Sequence, residues 1–180
     1  FGVSVYAYSA VLAACMGGMA LGSYLAGRWI DGAARPLRAF ALLEIGIAAL
    51  AAPSPFALSS LDGLYVAIAR AWQPGVGLLT LLRLVLSIAA LTPATLLIGA
   101  TLPAMSRIYA VERGRVGSDV GWLYAANTAG AVLGCLGTGL FLIRLLGLKE
   151  TVLLAAALNL AVAAGAFRLA GAPLPAPTAA

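Results

Sequence analysis

From Ser4 to Gly27 the chain runs 24 residues without a charged side chain. A stretch of that kind either fills the centre of a large core or lies in lipid. As a helix it is about 36 Å long at 1.5 Å per residue, enough to cross a bilayer core of about 30 Å. The rest of the chain decides between the two. Of its 180 residues 63% are hydrophobic and 9% are charged, and the mean hydropathy is +1.03. Soluble domains carry about a quarter charged residues, and 11 basic plus 6 acidic side chains are too few to coat a water-soluble core of this length. Lipid is therefore the expected solvent.

Four further apolar stretches follow. The second expected span, Ala39 to Leu58, is interrupted by Pro53 and Pro55, which kink or end it near its far side. The third, Leu78 to Leu102, contains Pro93 and is expected to stop at Pro103. The fourth is Val120 to Leu146 and the fifth Thr151 to Leu169. The expectation is an all-α fold: a polytopic transmembrane bundle of about five spanning helices within residues 1–170, then a Pro/Ala-rich linker or tail over 171–180. Because the chain opens on Phe1 with neither a methionine nor a charged leader, it reads as a piece of a longer protein. Between the second and third spans Leu61, Leu64, Tyr65, Ile68 and Trp72 recur at helical spacing. That pattern fits a short helix lying in the membrane interface or an ordinary ordered loop.

Basic residues set an orientation. The first link holds Arg28, Arg35 and Arg38 and the third Arg107, Arg113 and Arg115; with Arg168 this side has seven, against four (Arg70, Arg83, Arg144, Lys149) on the other. Positive charge collects on the cytoplasmic side, so the first and third links are expected inside, the start of the chain outside and its C-terminal tail inside. Trp29, Trp72 and Trp122 all fall at span ends, where interface anchors belong. The net charge of +5 does not point to nucleic acid, since the basic residues are not interleaved with exposed aromatics. Cys15 and Cys135 lie in apolar runs without metal-type spacing, and the chain has no histidine, so they read as small packing residues and no metal or cofactor is expected.

Small residues form stripes. Ala10, Ala14, Gly18, Gly22 and Ala26 repeat every four residues in the first span, as do Ala126, Gly130, Gly134 and Thr138 in the fourth. Such stripes let helix backbones approach closely in lipid, either as static packing or as sliding surfaces. Each follows a tyrosine, Tyr8 or Tyr124, a hint of an internal repeat. Polar groups inside the membrane are costly and so informative. Glu44 and Arg83 are not expected to pair, because each lies about 8 Å inside an opposite end of its span, and Arg83 is expected to snorkel outward. Glu44 shares its expected depth with Thr101 and Asn127. That polar cluster is either a cation or substrate site or a hydrogen-bonded clasp between helices. Asn159, near the middle of the fifth span, reads as an interhelical bond.

The first link, Gly22 to Asp31 followed by Arg35-Pro36-Leu37-Arg38, resembles in loose form the loop motif between the second and third helices of major facilitator transporters. There a glycine permits close packing, and an acid with arginines forms a cytoplasmic charge network. The resemblance implies such a network for Arg28, Asp31, Arg35, Arg38 and Arg107, although the spacing of the acid and the arginines departs from the usual pattern. Longer stretches carry a more specific likeness: Gly2 to Ser9, Arg35 to Arg38 leading to Leu43-Glu44-Ile45-Gly46, Pro93 to Pro103, and Leu123 to Gly134. Together they resemble the membrane part of bacterial fused major-facilitator/spermidine-synthase-like proteins, over nearly all of Phe1 to Leu169. The resemblance implies a major-facilitator-like half bundle in the bacterial inner membrane, one further helix upstream, and a cytosolic polyamine aminopropyltransferase-like module downstream.

The enzyme itself does not carry over to these residues. An aminopropyltransferase needs a glycine-rich turn after a strand and acids that hold and deprotonate an amine. Gly17, Gly18 and Gly22 lie within a transmembrane run with no strand before them, and the six acids are scattered. Nor is there a nucleophile beside a base, so no catalytic residue is assigned. Three roles compete: a membrane domain that anchors a cytosolic aminopropyltransferase-like module or moves a related solute, an independent transporter half, and a structural subunit of a larger membrane complex.

Overall fold

The computed structural model describes residues 5–30, 35–72, 75–109 and 116–171, and every element among them is helical. In order these are α1 (Val5–Ile30), α2 (Pro36–Ala51), α3 (Ser54–Trp72), α4 (Val76–Tyr109), α5 (Val116–Gly137), a π-helical turn (Thr138–Leu142), α6 (Ile143–Leu146) and α7 (Leu148–Gly171). Four stretches among the described residues are long and apolar enough to cross a membrane: Pro36–Ala57, Leu84–Tyr109, Gly117–Leu146 and Leu148–Gly171. The described residues are thus all helical, with the build of a multi-pass membrane protein. In α1, 26 residues long, no charge precedes Arg28.

Prolines shape the helix boundaries, not always as their positions alone predict. At Pro53 the chain breaks for one turn only. Phe56 and Ala57 donate their amides to the Pro53 carbonyl, and the Ser54 hydroxyl bonds the Ala51 carbonyl at 2.7 Å. Pro55 then sits in the first turn of α3, where a missing amide costs nothing. The segment left open between helix and loop is therefore a 19-residue helix.

The expected stop at Pro103 does not occur: α4 runs through both Pro93 and Pro103 to Tyr109. A proline at 103 has no amide to give the carbonyl four residues earlier, that of Gly99. Ser23 of α1 supplies the missing donor, its hydroxyl reaching the Gly99 carbonyl at 2.6 Å. Side chains of neighbouring helices commonly satisfy backbone groups freed in this way inside membranes.

Helix α4 is the centre of the bundle. It packs along α1 on one side and α2 on the other, and α2 in turn packs along α7. The core is made of Ala26 and Ile30 from α1, Phe40 and Ala41 from α2, Ala100 and Ala104 from α4, and Ala163 and Ala166 from α7. These positions fix the relative directions of the helices. The C-terminal ends of α1, α4 and α7 and the N-terminal end of α2 meet at one end of the bundle.

The choice of residues inside and outside is that of a protein solvated by lipid. The most deeply buried core residues, Ala41, Ala104 and Ala163, are all alanines, while Leu133 is 71% and Leu145 75% exposed. In water this would forfeit the hydrophobic gain of burying leucine. In lipid, where apolar tails are as good a partner as leucine, small residues are favoured between helices because they let backbones approach.

Candidate functional site

Two features of the sequence reach the structure as geometry: the stripes of small residues and the arginines at one helix end. On α1 the stripe is an interface. A Cβ added at Gly18 would run into the Thr95 hydroxyl oxygen and stand 2.9 Å from its Cβ, and one at Gly22 would run into the Leu96 carbonyl. From the other side Gly99 lies against the Met19 backbone in the same way. Only hydrogen fits at these positions, so α1 and α4 touch backbone to backbone and the Ser23–Gly99 hydrogen bond can form.

The second stripe is different. Nothing lies within 4 Å of a Cβ added at Gly130 or Gly134. Asn127, Gly130 and Gly134 are exposed, and within the span Gly117–Leu146 no residue of its most apolar window is buried. Gly134, Gly137 and Thr138 instead line a cleft of about 440 Å³ facing Thr151, Ala155 and Leu158 of α7. At the α6–α7 turn beside it Gly147 adopts φ +92°, a conformation open almost only to glycine. Its amide bonds the Ile143 carbonyl, and the Thr151 hydroxyl bonds the Gly147 carbonyl at 2.6 Å. Helix α5 is thus tied to the bundle through a tight turn and stands away from it over much of its length.

The three members of the expected polar cluster stand in three different environments. Glu44 lies on the buried face of α2, 8% exposed, and among the described residues no hydrogen bond or ion pair reaches it. Thr101 is half-buried on α4, its hydroxyl donated to the Ile98 carbonyl one turn back at 2.7 Å. Asn127 is exposed on α5, which shares no packed interface with α2. No hydrogen bond joins the three. Asn159, by contrast, continues the α7 stripe of Ala156, Ala163 and Ala166, the stripe that packs toward α2. The Arg83 side chain lies outside the described residues.

The basic residues converge. Arg28 ends α1, Arg35 and Arg38 begin α2, Arg107 ends α4 and Arg168 ends α7, so all five stand at the same end of the bundle, above the alanine core, and all are exposed. Asp31, the acid expected to join them, lies outside the described residues, as do Arg113 and Arg115. Arg28 stacks over the Tyr24 ring at 4.8 Å from its centroid. Around the same end Tyr24, Trp29, Tyr109, Trp122 and Tyr124 are exposed, Trp29 to 82%. Exposed aromatics banded beside arginines are the arrangement of a membrane–water interface, where the ring is bathed by tails and the charge by headgroups. Compared with known proteins, the chain matches no family model, no curated protein and no solved structure.

Proposed function

We propose that the chain is a non-catalytic, multi-pass membrane domain whose basic end faces the cytoplasm. In this reading α1 supplies a fifth crossing, and α7 delivers the chain to the cytoplasmic side. There the domain holds an aminopropyltransferase-like module at the bacterial inner membrane or moves a related solute. The observation that supports this reading is the gathering of Arg28, Arg35, Arg38, Arg107 and Arg168 at the end where α7 finishes. Cytoplasmic loops carry the arginine excess, and the grouping of these residues supports an inward C-terminal end. The identity of the module, and the half-bundle architecture, rest on the resemblance of Pro93 to Pro103 and Leu123 to Gly134 to fused spermidine-synthase-like membrane domains.

Paired reporters test the orientation. Fused after Gly171 in bacterial cells, green fluorescent protein is expected to fluoresce and alkaline phosphatase to stay inactive; the reverse pattern overturns the reading. Intact-mass measurement on the protein from its source membrane tests the module. A product well above the 18.1 kDa of this chain supports it. A product of that size turns the reading to a subunit of a larger membrane complex, which the uncovered length of α5 favours independently.

A further inference from the structure

Beside the basic end, between α1, α2 and α4, lies a cavity of about 400 Å³ with purely apolar walls. On α1 the wall is Gly22, Leu25, Ala26 and Trp29, and its deep end is closed where Gly22 meets Leu96 of α4. On α2 it is Ala39 and Leu42, and that wall has a second property. Arg38 stands one turn before Leu42 on the same face of α2, and Arg35 caps that helix, its carbonyl accepting the Ala39 amide at 3.2 Å. The apolar wall therefore continues directly into two exposed arginines. On the opposite side Arg28 follows Leu25 by three residues, one turn further along α1, with the exposed ring of Trp29 beside it. No acidic side chain lines the cavity. Asp31 lies outside the described residues, and with it the segment from Arg28 to Arg38 still carries three arginines against one acid.

We propose that this cleft is a binding site for an anionic phospholipid of the surrounding leaflet, its acyl chain along the α1–α2 walls and its phosphate on Arg35, Arg38 and Arg28. The proposal rests on the membrane reading above. An apolar slot alone accepts any tail. What commits the site to an anionic lipid is the charge at its mouth: basic pockets between transmembrane helices on the cytoplasmic side recognise anionic headgroups, and guanidinium forks match phosphate oxygens in pairs. The cavity also falls within the size range of sites that hold small molecules. Zwitterionic phosphatidylcholine has the same tails and phosphate, but its choline cation would face three arginines.

The test is retention of lipid by the full chain in nanodiscs of phosphatidylcholine with a minor fraction of phosphatidylglycerol, read by native mass spectrometry. Phosphatidylglycerol is expected to remain bound in preference to phosphatidylcholine, with each arginine worth about fivefold in affinity. The Arg35→Gln/Arg38→Gln variant changes only exposed side chains and is expected to lose most of that preference. Ala39→Phe, which fills the cleft, is expected to lose bound lipid of both kinds, and Lys149→Gln at the opposite end to retain the full preference. Equal retention of the two lipids by the unaltered chain overturns the proposal, as does a loss in Lys149→Gln as large as in the double arginine variant. A chain that enters the nanodisc without lipid preference sinks the lipid site alone; one that never enters it sinks the membrane reading with it.

Discussion

The two stripes of small residues are near copies in sequence and opposites in structure. Ala14, Gly18, Gly22 and Ala26 of α1 are buried against a neighbouring helix, whereas Ala126, Gly130 and Gly134 of α5 have the same spacing and are exposed, with nothing within 4 Å of a Cβ added at either glycine. Spacing alone therefore states that a helix can be approached closely, not that it is. What separates the two is the partner. Opposite α1, α4 offers Gly99, whose carbonyl Pro103 has freed, and Ser23 is at the right height to take it. Opposite α5, α7 begins after a one-residue turn at Gly147 and then follows α2 instead. Close approach in lipid needs a small surface on both sides and polar groups that gain by meeting.

This contrast can be broken most sharply by adding bulk to both stripes. Gly22→Leu is expected to cost about 3 kcal/mol, the upper part of the overpacking range, because its side chain meets the Leu96 backbone. Gly130→Leu is expected to change stability by less than about 0.5 kcal/mol, as an exposed site should. Unfolding of both variants in mild detergent decides it, and equal losses would mean that α5 is packed after all. A smaller effect is expected at the turn that holds α5. Gly147→Ala forces a side chain into a positive-φ conformation and should lower stability by about 2 kcal/mol; an unchanged melting midpoint would show the turn to be relaxed.

The contact that makes the α1 seam special is worth less again. Ser23→Ala should cost about 1 kcal/mol, and the cost should vanish in a Pro103→Ala background, where residue 103 regains an amide for the Gly99 carbonyl. A double-mutant cycle measures that coupling directly, and additive losses would separate the hydroxyl from the proline. The smallest effect is expected on the α2–α7 seam. Glu44→Met should be neutral within about 0.5 kcal/mol or stabilising, since the Glu44 side chain is 8% exposed and makes no hydrogen bond among the described residues. A loss above about 1 kcal/mol would mean that the seam is held through that carboxylate.

The helical character was legible because uncharged runs and the period of apolar residues are local properties, but four stretches among the described residues, not five, are long and apolar enough to span, and the first expected span is not among them. Alternating helices bring every second link to one end, and Arg28, Arg35, Arg38 and Arg107 stand at one end of the bundle; the expected network with Asp31 involves a residue outside the described ones. Pro103 was misread as a stop because its compensation, Ser23, lies 80 residues away in sequence. The grouping of Glu44 with Thr101 and Asn127 rested on depth alone, and depth does not say which helices are neighbours. That Asn127 is exposed on α5 while Asn159 shares the α2–α7 seam follows from helix pairing, which four-residue spacing leaves open.

Orientation in the membrane is the central claim, and accessible cysteines test it most directly. Cys15 and Cys135 are both free thiols, so replacing them by alanine gives a silent background for a single cysteine at Arg35 or at Lys149. In intact cells, with the outer membrane permeabilised, a membrane-impermeant maleimide is expected to label Lys149→Cys, and Arg35→Cys only after the inner membrane is broken. Labelling of Arg35→Cys in intact cells would put the basic end outside. Equal labelling of both, or a chain washed from the membrane by carbonate, would contradict a multi-pass fold.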